Sequence, residues 1–341
     1  MATLKDVAQL AGVGLGTASR VVSGKGAVSP KTLERVRKAI GELDFQPSHA
    51  ARSLMSGSSQ MIGIYIPFLS GTFYTPILQL VYSELRAAGL NMVVGFGVGN
   101  VNEREQVIEG IDFLNQRGCD GVMVLTNTLT EEDIAALGPR KSRLVLLNHS
   151  LPSMQERCFT VDHAKGGRLA ARALLDKGHR KIAVISGPNS AVDNVERVDG
   201  FMAELAAAGI DTAGVWITES NFAPEGGWDS AKKLLASGVD FSAVFCANDE
   251  MAVGALSHFQ QAGVNVPGDV SVLGYDDTHS AEFTAPRLTS VHMPWLEMTH
   301  NGLNCLLNRC YDMHRPFTHD YDVSVTERAS LAQVKTPRGA K

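Results

Sequence analysis

Apolar residues open the chain at helix spacing: Leu4, Val7, Ala8 and Ala11 fall on one helix face. Gly12 stands where a left-handed turn residue is needed, and Ala18, Val21 and Val22 begin a second short run. Thr3 is a good N-cap, with Asp6 three residues on, close to a capping box. Ser29-Pro30 starts a third helix, with Leu33, Val36, Ile40 and Leu43 on its apolar face. Two short helices joined by a tight glycine turn predict a helix-turn-helix, a unit that lays its second helix in the DNA major groove. An ordinary helical hairpin would carry the same pattern.

The next stretch, FQPSHAARSLMSGSSQ, breaks at Pro47 and offers Ser48 as a cap. AARSLM is long enough for two turns of helix, which is marginal alone in water. The segment therefore reads as a linker that orders only against a partner, or as a plain interdomain connection.

From Met61 the pattern changes. MIGIYIP, LNMVVGF, GVMVL, RLVLLN, KIAVIS, GVWIT, AVFCA and SVLGY are short, nearly continuous apolar runs rich in Val and Ile. Amphipathic segments separate most of them: roughly Thr75–Ala88, Glu103–Arg117, Ala164–Lys177, Val195–Ala208, Glu225–Ala236 and Glu250–Ala262. Strands without alternation, divided by helices, predict parallel sheets covered on both faces. There are too many strands for one comfortable sheet, so two α/β lobes are expected. Ligands of open parallel sheets sit at the carboxyl ends of strands. That rule selects Ser70–Tyr74, Asn148, Asp162, Ser186–Arg197, Asn248-Asp249 and Asp276-Asp277.

Charge distribution sharpens the first segment. The 341-residue chain has a formal charge of -5, which read alone argues against DNA binding. Residues 1–57, however, hold eight basic and four acidic side chains, and the remainder 23 basic and 32 acidic, so +4 faces -9. A basic segment on an acidic body is the asymmetry expected when one end meets phosphates. Cys119, Cys158, Cys246, Cys305 and Cys310 form no C-x-x-C pair, so reduced thiols are expected rather than a disulfide framework or zinc site. The chain shows no signal-peptide core and no run able to span a membrane, and a cytoplasmic protein is expected. No nucleophile elbow, P-loop, dinucleotide fingerprint or H-E-x-x-H appears, and His163, His179 and His292 are dispersed. Neither an enzyme, a cofactor nor a metal is expected.

Five motifs in order carry a resemblance: LKDVAQLAGV with TASRV, P-S-H-AARSL, ERVDGF at 196–201, ANDEMAVGAL at 247–256 and VSVLGYDD at 270–277. Together they resemble the LacI/GalR family of bacterial transcription regulators over nearly the whole chain. The resemblance implies a small all-α helix-turn-helix domain (1–46), a hinge helix and linker (47–60), and a two-lobed α/β periplasmic-binding-protein-like domain (61–341). Its first lobe would comprise about 61–160 plus 291–321, its second about 161–290 plus 322–333.

Residue by residue, the resemblance implies DNA contacts from Thr17, Ser19 and Arg20, with Arg20 suited to a guanine edge. Leu15 and Gly16 occupy the positions most used for sequence choice, yet one is apolar and the other has no side chain. Thr3, Ser29 and His49 join this set. Ala51, Arg52 and Leu54 match the hinge helix, with Leu54 as a wedge between base steps. The effector cleft would use Phe73, Tyr74, Asn148, Asp162, Arg197, Phe222, Asn248 and Asp276. SGTFY lacks the Asn-Pro common in this loop, and Asp249 and Asp277 read as residues that tie loops. The implied protein is a homodimeric repressor of a palindromic operator, released by a sugar or glycoside. A corepressor-type regulator taking a purine-like metabolite is the alternative, and a sugar-binding protein without a DNA function a more distant one. The tail LAQVKTPRGAK has no leucine repeat, so a dimer rather than a tetramer is expected.

Overall fold

A computed structural model describes residues 2–23, 26–45, 57–69, 71–98 and 102–334. His49, Ala51, Arg52 and Leu54, the expected hinge contacts, lie outside the described residues.

Three helices form the N-terminal unit: α1 (Leu4–Leu10), α2 (Leu15–Ser23) and α3 (Pro30–Glu42). The Thr3 hydroxyl accepts from the Asp6 amide at 3.3 Å, and the Asp6 carboxylate accepts from the Thr3 amide at 2.8 Å, completing a capping box. Ser29 caps α3 through the Thr32 amide at 3.3 Å. Val7, Ala11, Val36 and Ala39 make the small core, with Val21, Ile40, Leu43 and Phe45 packed around it. So few buried side chains leave little stability to spare.

The larger body follows in two lobes. The first runs β1 (Met61–Ile66), α4 (Tyr74–Ala87), β2 (Asn91–Phe96), α5 (Glu103–Gln116), β3 (Gly121–Leu125), α6 (Glu131–Ala136), β4 (Leu144–Leu147) and β5 (Cys158–Phe159). The second runs α7 (His163–Asp176), β6 (Ile182–Ser186), α8 (Val192–Ala207), β7 (Trp216–Glu219), α9 (Pro224–Ala236), β8 (Ala243–Cys246), α10 (Asp249–Gln261), β9 (Ser271–Asp276) and β10 (Thr289–His292). The chain then returns to the first lobe as α11 (Trp295–Tyr311) and ends in β11 (Ser324–Thr326) of the second sheet. The first sheet is parallel in the order β2-β1-β3-β4-β5. The second has the order β11-β10-β9-β8-β6-β7, antiparallel only at β11.

In both sheets the strand order reverses beside the first strand, between β1 and β3 and between β6 and β8. Each reversal opens a crevice at the carboxyl ends of its strands, the place where doubly wound sheets take ligands. Two sequence expectations shift. Val291 and His292 pair with β9 and β11, so the return crossover falls after His292, slightly later than expected. The long helix α11 was not among the expected helices. Its face is blurred because Thr299, Asn301 and Asn304 are buried beside Met298, Leu303 and Leu306. Those amides serve the chain that follows: Asn304 donates to the Pro316 carbonyl, and Asn301 accepts from the Thr318 amide, both at 3.0 Å.

Asp120 ties the linker's exit to this body. Its carboxylate accepts from the Ser58 hydroxyl at 2.6 Å, the Ser59 amide at 3.0 Å, the Gln60 amide at 2.8 Å and the Tyr311 hydroxyl at 2.8 Å. Burial works against the ionised form, but these donors outweigh it and hold the carboxyl below its usual range. Asp120→Ala strands four donors and is expected to cost about 1–3 kcal/mol. The urea midpoint of the purified protein measures this, and an unchanged midpoint would show the clasp to be idle.

Candidate functional site

The helical unit presents α2 outward. Leu15 is 54% exposed, and a Cβ built on Gly16 would meet no atom within 4 Å. Thr17 and Ser19 are half-buried; Arg20 is exposed and has no ion-pair partner among the described residues. The hydroxyls of Thr3 and Ser29 are engaged in their helix caps. Lys5, Lys31, Arg37 and Lys38 are also exposed on this unit, which places cations around α2 and α3.

Arg35, which sequence reading passed over, holds the turn. Its guanidinium on α3 donates to the carbonyls of Ala11, at 2.9 Å through Nε, and of Gly12, at 2.7 Å. These are the carbonyls that the end of α1 leaves unpaired, and Gly12 itself sits at φ +59°. Loss of charge-assisted bonds costs about 2 kcal/mol in a unit with a small core. Arg35→Ala should therefore weaken DNA binding more than tenfold, read by fluorescence anisotropy. Unaltered affinity would mean the turn holds without it.

Between the lobes lies a cavity of about 320 Å³. Phe73, Tyr74 and Asn148 line it from the first lobe; Arg197, Phe222, Asn248 and Asp276 line it from the second. Asp162 does not reach it. It caps α7 through the Lys165 amide at 2.7 Å and pairs with Arg168 at 3.4 Å, largely exposed to solvent. The expectation for Asp162 is thus corrected: a strand-end carboxylate ahead of a helix served as its cap.

Arg197 is the hub. It is 2% exposed, stacks over the Tyr275 ring at 4.2 Å, and bonds the Asp193 carboxylate at 2.7 Å through Nη2. It also donates to the main-chain carbonyls of Asp193 and Ala247. Asp276 stands 3.9 Å away. Asp193, one helical turn before Arg197, lay inside the strand-end window 186–197 but was given no role of its own. Burial raises its pKa, but the Arg197 charge, with the amides of Asn148 and Asn127, outweighs burial and holds it below the usual range. Asn127 and Asn148 belong to the first lobe, so Asp193 joins the lobes, with Asn148 Nδ2 at 2.9 Å. Thr72 makes a second bridge at the rim, donating from its amide and hydroxyl to Glu250 at 2.9 and 2.8 Å.

His163 lies behind this network. Its Nε2 meets the Asn148 carbonyl oxygen at 2.9 Å and its Nδ1 the Tyr275 hydroxyl at 3.3 Å, which assigns the proton to Nε2. Burial and the Arg197 charge push its pKa down to about 4, so the ring is neutral at physiological pH. Asp276 moves the other way: burial lifts it well above the ordinary carboxylate range, against the pull of Arg197. Asn248 lines the cavity with its amide already engaged, Oδ1 capping α10 and Nδ2 donating to the Phe222 carbonyl at 3.0 Å. Asp249 and Asp277 tie loops: Asp249 accepts from Thr278 and Ser290, and Asp277 binds His292, Thr326 and Arg328.

Aromatic rings close the cavity. Phe73 meets Tyr74 and Trp295 edge-on, each at 4.9 Å, and Phe222 lines the cavity from the second lobe. Trp295, at the start of α11, was also missed; its buried indole N–H lies toward the Asp276 carboxyl and favours that group's charge. Phe222 holds φ +62°, strained for an aromatic residue by about 1–2 kcal/mol. Its ring fills the space a side chain at Gly187 would need, since a Cβ there would stand 2.3 Å from it. Asn148 and Asp276 also have positive φ, at 61° and 102°. Such strain collects where a side chain must be aimed.

Residues 3–48 match the family described as bacterial regulatory proteins, lacI family, and residues 171–331 a periplasmic binding protein-like domain. The HTH-type transcriptional repressor PurR of Vibrio parahaemolyticus is 35% identical over 314 residues, covering 92% of this chain and 93% of that protein. The chain belongs to the LacI family. Among solved structures, a LacI-family transcriptional regulator from Burkhoderia phymatum is 46% identical, with a TM-score of 0.77 over 80% of this chain and 99% of that one. The Lac repressor dimer bound to operator and the anti-inducer ONPF is 27% identical, with a TM-score of 0.82 over 97% and 99%. These likenesses make the LacI-family chain a DNA-binding repressor with a helix-turn-helix unit and a two-sheet α/β body. Among the described residues no helix is long and apolar enough to cross a membrane, and no group of His, Cys, Asp and Glu is arranged to hold a metal.

Proposed function

We propose that the chain is a homodimeric repressor whose hold on a palindromic operator is set by a small molecule bound between its lobes. The fold and the exposed face of α2 support the DNA half of this reading. In the cleft, we infer a purine-like heterocycle acting as corepressor, ahead of the sugar that the sequence favoured. The observation that carries this is the aromatic slot. Phe73, Tyr74 and Trp295 on one side and Phe222 from the second lobe line the cavity, apolar ring surface suited to a flat heterocycle. At its edge Asp276, with the Trp295 indole beside it, offers an acceptor for a ring N–H. The name borne by the curated relative, PurR, agrees.

A ligand spanning these groups touches both lobes and limits their relative motion. Fixing the lobes in one arrangement in this way supports a corepressor sign. By linkage, DNA must then tighten ligand binding by the same factor. A sugar remains the second reading, because Glu103, Glu225 and Glu250 add acceptors for hydroxyls around the slot. The protein's place of action is the cytoplasm, with its DNA.

A thermal-shift screen decides between adenine, guanine and hypoxanthine on one side and glucose, galactose and ribose on the other. Each hit is then added to the protein on a duplex it has selected from a randomised pool. A base that raises the melting temperature and tightens DNA binding supports the proposal; a sugar that loosens it overturns the effector assignment.

A further inference from the structure

The cleft's charges do not balance. Asp193, Asp276 and Glu103 all lie near enough to the Tyr74 hydroxyl to oppose its ionisation, behind burial as the main cause. Glu225 and Glu250 line the same cavity. Against these five carboxyl groups, two of which (Asp276 and Glu103) burial pushes toward the protonated form, Arg197 is the one cation in the lining among the described residues, and its fork is engaged by Asp193 and two main-chain carbonyls. Asp276 is left beyond hydrogen-bond distance of it, at 3.9 Å. Glu103 has no ion-pair partner among the described residues, and burial and Asp193 both disfavour its charge. Trp295 turns its buried indole N–H toward Asp276 but adds no charge.

We propose that this cleft selects its effector by charge: it admits neutral or cationic ligands that present an N–H or amino donor to Asp276 and Glu103, and rejects anions of the same shape. The inference rests on the cleft being the effector site, and it deepens that reading. Free bases and amino sugars belong to the admitted class; nucleotides, sugar phosphates and sugar acids do not. The reason is physical. A like charge brought among crowded carboxylates in a partly dry cavity is repelled, whereas a donor or cation there relieves the crowding.

Size and charge are separated by a matched probe. Urate is purine-sized, planar and anionic at neutral pH, so titration calorimetry of the full-length protein compares it with adenine; glucuronate, which keeps the pyranose ring, is compared with glucose and glucosamine in the same way. The anion of each set is expected to bind at least about a hundredfold more weakly than its neutral or cationic counterpart. Urate or glucuronate binding as tightly as that counterpart overturns the proposal. If glucose or glucosamine binds and adenine does not, the purine reading fails while the charge rule stands. A ligand-free measurement guards against misidentified probes. Glu103→Gln removes one crowded carboxylate and should raise the melting temperature by about 2 °C; a lower melting temperature would show that Glu103 is stabilised where it lies, and the charge argument falls.

Discussion

Arg197→Met is expected to lower the stability of the two-lobed body by about 3–5 kcal/mol, the cost of leaving buried partners uncompensated. The guanidinium neutralises Asp193 at 2.7 Å, satisfies the Asp193 and Ala247 carbonyls and stacks on Tyr275. Methionine fills comparable volume and keeps contact with the ring, but returns none of the hydrogen bonds. Asp193 is 6% exposed and Asp276 7% exposed, so water cannot replace the lost cation. Asp193 must then take up a proton or draw the lobes apart, because Asn127 and Asn148 bond to it from the other side. Denaturant unfolding measures the loss. Arg197→Lys separates charge from shape: it restores the cation without the planar fork and should recover part of the stability but little of the ligand response. If the methionine variant unfolds at the wild-type midpoint, Asp193 is neutral in the native protein and the hub assignment is wrong.

The sequence made Arg197 legible and left the role of Asp193 hidden, although both fall in the window 186–197 and sit one helical turn apart. Strand ends announce themselves through a change of texture, from a buried apolar run to polar residues. That is how Asn148, Asn248 and Asp276 came into view, and the structure brings all three to one cavity. A carboxylate inside an amphipathic helix resembles any solvated acid; only its i,i+4 spacing to Arg197 marks it. Asp162 shows the opposite failure. A strand end in an α/β chain is also a helix start, and an Asp there caps the helix as readily as it meets a ligand. Trp295 escaped because its position depends on a crossover, from β10 in one lobe to α11 in the other, that no local pattern encodes. The helical unit was legible almost to the residue, since its caps are local. Arg35 was not, because its partners lie 23 and 24 residues away.

Gly167→Ala should be nearly as damaging as the loss of Arg197, from a position with no polar chemistry at all. A Cβ on Gly167 would stand 1.9 Å from the Arg197 carbonyl oxygen and 2.8 Å from the Phe201 amide nitrogen. The obstacles are main chain, so no rotamer relieves them. The facing contact is equally close: a Cβ on Gly200 would lie 2.1 Å from the Ala164 carbonyl oxygen. Helices α7 and α8 therefore touch backbone to backbone, and the methyl group must push them apart. Overpacking of this kind costs about 1–3 kcal/mol and sometimes more; contact with rigid backbone places Gly167→Ala near 3 kcal/mol. Gly214→Ala is the matched control, since nothing lies within 4 Å of its Cβ, and it should leave the melting temperature within about 1 °C. The consequence reaches the site because α8 carries both Asp193 and Arg197. Moving that helix away from α7 withdraws the pair from Asn148 and Asp276, so ligand affinity should fall more than tenfold even where the variant remains folded. Calorimetric titration at a temperature well below its melting point reads that loss. Full affinity in a folded but destabilised Gly167→Ala would show that the geometry of the cleft does not depend on how closely these helices pack.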